Sequence, residues 1–88
     1  KPAKETFFIN EGVNFTVSSN KAGSGSLKVY GINQNLVRTI SFTYESGVTN
    51  VRWDGTDDNG APVFTDVYWV VIEGSNFEKK TVHVAAIR

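Results

Sequence analysis

Apolar and polar residues alternate with a period of two along most of this chain, and no segment carries the 3.6-residue period of an amphipathic helix. Val13, Phe15 and Val17 are interleaved with Asn14, Thr16 and Ser18, the pattern of a strand with one buried face. Further strands are predicted over Phe7 to Ile9, Leu27 to Ile32, Leu36 to Tyr44, Val48 to Trp53, Val67 to Glu73 and Lys79 to Ile87. Along Leu36 to Tyr44 the apolar residues Leu36, Ile40, Phe42 and Tyr44 share one parity. Val37 falls on the other, which predicts a bulge near Arg38. Val67 to Glu73 is apolar on both parities, as for a central strand covered on both sides or one whose outer side meets a neighbour. If Tyr68, Val70 and Ile72 point inward, Trp69 points outward.

The segments between these runs have turn chemistry. Glu11-Gly12 and Gly74-Ser75-Asn76 read as tight reversals, Ser19 to Ser26 as a flexible loop, and Asn33-Gln34-Asn35 as a hairpin turn in which Asn tolerates positive φ. Pro62 lies in a connector from Ala61 to Asp66, where the missing N–H breaks no ladder. Lys1 to Thr6 is polar and reads as a linker remnant, so the module is expected to run from residue 7 to 88. Seven short strands with turns every 8 to 12 residues or so predict an all-β fold: a seven-stranded antiparallel β-sandwich of the immunoglobulin or fibronectin type III class.

Composition supports this class and removes several functions. The 88 residues suffice for one domain, since a chain of this length buries only about 60 to 65% of its unfolded surface. Nine Lys plus Arg balance nine Asp plus Glu, so no net field draws nucleic acid or an anionic membrane. There is no Cys for a disulfide or a thiolate metal site, and no apolar run nears the ~20 residues that span a bilayer.

Candidate chemistry concentrates in Trp53-Asp54-Gly55-Thr56-Asp57-Asp58-Asn59-Gly60. Asp and Asn bond their own backbone in turns, and Gly55 and Gly60 can take positive φ, so the run predicts a fixed corner anchored by Trp53. Asp54, Asp57, Asp58 and Asn59 offer oxygen ligands, but counting back from Gly60 puts Gly55 where an EF-hand needs a ligand, and no Glu closes the loop. No metal site is assigned. His83 is the one histidine, without a second His or a Cys for zinc or a triad. Glu45, Glu73 and Glu78 sit at strand ends with nothing to pair them across a cleft, so no catalytic or cofactor-binding residue is assigned. Tyr30, Phe64, Trp69 and Phe77 could form a stacking platform, with Trp69 and Phe64 the candidate contact face. Protein contact outweighs sugar there, because carbohydrate modules join several exposed aromatics to polar groups aimed at hydroxyls.

The hairpin GSLKVYGINQNLVRTI followed by VRWDGTDDNGAPVFTDVYWVVIEG resembles the immunoglobulin-like or fibronectin-type domain of the flagellar hook-assembly, or hook-cap scaffolding, protein family. Related modules are appended to secreted bacterial enzymes and surface proteins, and those following cell-envelope subtilases carry a similar W-D-G-x-D-x-x-G turn. The resemblance covers roughly Val13 to Ile87 and rests on Trp53, Asp54, Gly55, Asp57 and Gly60, with Tyr68 eight residues on. It implies that these are fold-determining residues. The family usually has Gly two residues before the Tyr; Asp66 stands there and is expected to accept a left-handed conformation at modest cost. The second small β domain inserted in the hook-cap protein has no counterpart, which favours an appended module.

The resemblance further implies a non-catalytic spacer, stabiliser or docking domain of an exported bacterial protein, extracellular, at the cell surface or periplasmic. Its partners would be neighbouring domains of the same polypeptide or other subunits. The alternative is a carbohydrate-binding module presenting Trp69 and Phe64 to polysaccharide.

Overall fold

A computed structural model describes residues 4–88 and contains seven strands and no helix among them. They are β1 (Lys4–Phe8), β2 (Val13–Ser19), β3 (Gly23–Tyr30), β4 (Leu36–Tyr44), β5 (Gly47–Trp53), β6 (Asp66–Gly74) and β7 (Phe77–Ile87). Five form one sheet in the order β1-β7-β6-β3-β4, and β2 and β5 pair as the facing layer. The all-β sandwich read from the sequence is therefore present.

One pairing departs from the antiparallel expectation. Strand β1 runs parallel to β7, from Lys4 opposite His83 to Phe8 opposite Ile87. A parallel neighbour must be distant in sequence, and here nearly the whole chain separates the two. Ile9 continues the pairing by donating its N–H to the Ile87 carbonyl, and the N–H groups of Glu11 and Gly12 then both donate to Phe8 O. Gly12, at φ +78°, completes the crossing to the second layer.

The expected boundary at Phe7 falls inside β1, which begins at Lys4; residues 1–3 of the expected linker lie outside the described residues. The Ser19 to Ser26 loop shrinks to three residues, because Gly23-Ser24-Gly25-Ser26 pairs with both β4 and β6 or with β4 alone. Glycine is needed in that strand for space. A Cβ on Gly25 would lie 2.6 Å from the Glu73 carbonyl oxygen and 3.1 Å from the Phe42 ring. The Asn33 to Asn35 turn forms, but the left-handed residue is Gln34, at φ +73°. The bulge predicted near Arg38 is found: Val29 faces Arg38 while Tyr30 faces Leu36, leaving Val37 as the extra residue.

The core lies between the layers. Phe15, Val17, Val51 and Trp53 from the small sheet meet Leu27, Val29, Tyr68, Val70, Ile72, Val84 and Ala86 from the large one. Each set follows the alternation of its strand, which burial of one face requires.

Candidate functional site

Two regions account for the residues that carried chemistry in the sequence. The first is the corner after β5. Trp53 ends that strand with its ring 0% exposed, meeting Phe7 and Tyr68 edge-on at 5.4 and 5.7 Å. Its indole N–H donates to Thr56 O at 2.9 Å, so the ring is buried without an orphan donor.

Within the turn, every aspartate accepts from nearby groups. Asp54 Oδ1 accepts from the Thr56 N–H and hydroxyl, at 3.1 and 2.6 Å. Asp57 Oδ1 accepts from the N–H groups of Asn59 and Ala61, at 2.9 and 3.0 Å. Asp58 reaches across to β4, donating its N–H to Val37 O at 3.1 Å and accepting from the Thr39 N–H at 3.1 Å. Gly55 and Gly60 take φ +84° and +85°. Gly55 is tighter, since a Cβ there would come within 2.8 Å of Ile9 Cγ2, whereas one at Gly60 would meet open space.

Arg38 fastens this corner to β4. Its Nη1 donates to Thr56 Oγ1 at 2.6 Å and to Asp57 O at 3.0 Å, with Asp54 and Asp58 carboxylates at 4.0 and 3.8 Å. The Thr56 hydroxyl thus accepts from Arg38 and donates to Asp54. Those Thr56 hydrogen bonds hold the Asp54 carboxyl below its ordinary pKa, with Arg38 adding to the shift and partial burial opposing it. Tyr68 locks the far side of the corner by donating its hydroxyl to Phe64 O at 2.7 Å. Its phenol is raised above the ordinary value by burial and then by the Asp66 charge.

The second region is the outer face of the five-stranded sheet. With Tyr68, Val70 and Ile72 buried, Trp69 points outward and is 44% exposed. Register puts His83, Trp69, Tyr30 and Leu36 opposite one another on β7, β6, β3 and β4, a cross-strand row over the open face. His83 stands edge-on to Trp69 with ring centres 4.0 Å apart. Ile32, 69% exposed on the β3–β4 turn, closes the row on one side. It also lines the neighbouring depression that reaches Leu36 and Phe64.

The four-aromatic platform expected from the sequence is not assembled. Phe77 lies on the other side of the sheet, packed edge-on to Tyr44 at 5.2 Å, where Gly74 makes room for its ring. Phe64 is 75% exposed on the β5–β6 connector, with the Arg88 guanidinium 5.7 Å above its ring. Trp69 and Phe64 therefore border separate depressions, with Ile32 lining both.

The model of the FlgD Ig-like domain family matches residues 5–77, from β1 into the first residue of β7. The chain belongs to the FlgD Ig-like domain family. No curated protein matches it. Among solved structures, it is similar to part of PorZ, described as an essential bacterial surface component of the type-IX secretion system of Porphyromonas gingivalis. The identity is 23% and the TM-score 0.51, over 83% of this chain and 9% of PorZ, a likeness of fold.

In this FlgD Ig-like domain the position before Val67 has a different solution from the one expected. Asp66 is not left-handed; its carboxylate accepts from the Val67 N–H at 2.8 Å. Arg38 was not legible as a corner residue in the sequence. The only trace was a lone Arg at the point where the strand alternation breaks. The reach of Asp58 to β4 left no sequence signal either, because it depends on two separate elements packing together; the Tyr68 hydroxyl bond is local, four residues back to Phe64 O, and is set by the path of the connector before β6.

Proposed function

We propose that this FlgD Ig-like domain is a non-catalytic accessory module of a larger exported or surface-located protein, and that it docks a neighbouring domain through the face around Trp69. The observation that carries the reading is the row His83, Trp69, Tyr30 and Leu36, apolar or aromatic across four strands and open to solvent. Contiguous exposed apolar area rimmed by polar residues marks an interaction site, and Trp and Tyr are the residue types that anchor one. Thr81, Lys28 and Thr39 form such a rim, in the next row along the sheet with Val71 between them.

Two comparisons support a setting within a longer chain. The family is that of an Ig-like domain of FlgD, and the similar fold in PorZ occupies a small part of a large surface component. The aspartates of the corner already hold hydrogen bonds from the chain itself, so that region serves the architecture of the module.

Thermal unfolding of the chain alone and of a longer polypeptide that includes a neighbouring domain tests the reading, each as wild type and Trp69→Ala. Trp69→Ala is expected to lower the transition only in the longer polypeptide. An equal shift in both would reduce Trp69 to local packing and refute docking. A glycan array provides the other arm: a glycan retained by wild type and lost by Trp69→Ala would replace this reading with polysaccharide binding.

A further inference from the structure

We infer that the free edge of β4 from Ser41 to Tyr44 pairs with the same edge of a second copy of this chain, joining two five-stranded sheets into one. Strand β4 ends the sheet order, with β3 on one side only. Its other side is already used as a strand edge in its first half. There Asp58 donates its N–H to Val37 O and accepts from the Thr39 N–H, the pair of bonds that an adjacent strand would make. Backbone groups of a strand point alternately to its two sides, so the N–H and C=O of Ser41 and Thr43 point the same way as the Thr39 N–H. Among the described residues, no other element supplies them with a partner.

The chemistry of this half-edge fits its own copy. Natural sheets blunt open edges with Lys, Pro or inward-pointing charges, yet Thr39-Ile40-Ser41-Phe42-Thr43-Tyr44 contains none of these. Within Ser41 to Thr43 an antiparallel copy consequently brings no like charges face to face. A two-fold axis at Phe42 sets Ser41 against Thr43 of the second copy and Thr43 against its Ser41, giving a symmetric ladder. It also sets the half-buried Phe42 ring beside its own copy, and Ser opposite Thr is a favourable cross-strand pair. Asp58 excludes one competing register. Moving the axis to Ser41 would require the Thr39 N–H that Asp58 already holds, whereas the axis at Phe42 leaves that bond intact. The ladder is then bounded, because the like-charged Glu45 of the second copy comes beside Asp58 at either end. A joint this short makes a weak dimer.

Sedimentation equilibrium of the 88-residue chain up to about 1 mM tests it, a concentration at which a Kd of that order places half the chains in dimers. Wild type is expected to dimerise, with concentration-dependent amide shifts centred on Ser41 and Thr43. Thr43→Pro should weaken the Kd tenfold or more without changing the melting temperature, since the N–H it removes points outward and Pro is tolerated on edges. Thr43→Lys, which keeps the N–H and adds a charge to the joint, covers the case in which the proline variant fails to fold. Trp69→Ala should leave the dimer intact, which separates this edge from the docking face. A chain monomeric at 1 mM, a dimer that survives both Thr43 substitutions, or one abolished by Trp69→Ala would overturn the inference.

Discussion

Trp53 and Trp69 are sixteen positions apart in the sequence, and their surroundings differ in kind. Around Trp53 the indole N–H, the three aspartates of the turn and the Arg38 guanidinium each have a partner within the chain. Around Trp69 the neighbours are His83 and Tyr30, with Ile32 lining the same depression, and the ring stays nearly half exposed. A region whose groups are satisfied internally specifies a shape. An apolar row left open has contact area still to use. The more polar region, where chemistry was first to be sought, thus belongs to the architecture, and the blander one is the face we propose for a partner.

The sharpest contrast is between alanine substitutions at the two tryptophans. Trp53→Ala removes a ring packed on Phe7 and Tyr68 and is expected to cost about 3 to 5 kcal/mol in urea unfolding. Trp69→Ala in the isolated chain should fall within about 0.5 kcal/mol of wild type. Equal losses would erase the distinction drawn above.

Next in size are the two glycines of the corner. Gly55→Ala meets both positive φ and the Ile9 side chain, and should destabilise by about 1 to 3 kcal/mol. Gly60→Ala meets positive φ alone and should cost about 1 kcal/mol. A reversed order would show that the approach to Ile9 relaxes freely. Arg38→Met keeps the stem and removes the bonds to Thr56 and Asp57, with an expected loss of about 1 to 2 kcal/mol. A variant as stable as wild type would show that the Asp58 bonds hold the corner to β4 without Arg38.

The smallest effect is on acid stability. Asp54 is held below its ordinary pKa in the fold, so its contribution is present above the unfolded value of about 3.9 and is lost as pH falls through the folded value. Melting temperatures measured from about pH 5 to pH 2 should fall less steeply for Asp54→Asn than for wild type. Parallel curves would mean that Thr56 and Arg38 do not favour the charged form.

How much of this was legible in the sequence follows the same division. Strand alternation gave β4 its limits and its bulge, and it put Trp69 outside and Tyr68 inside, because burial of one face imposes a period of two. The glycine-rich segment before Leu27 misled for a definite reason: Gly25 is a strand residue that lets Glu73 and Phe42 approach. The parallel docking of β1, the reach of Arg38 and the separation of Trp69 from Phe64 depend on long-range packing, for which local pattern carries no signal.

Acrylamide quenching of tryptophan fluorescence separates the two tryptophans, with the Trp69 component assigned by the difference from Trp69→Phe. In the isolated chain Trp53 is expected to be protected and Trp69 accessible, in line with 0% and 44% exposure. In a longer polypeptide carrying the neighbouring domain, Trp69 should become as protected as Trp53. Quenching of Trp69 that stays the same in the isolated and the joined forms would contradict it.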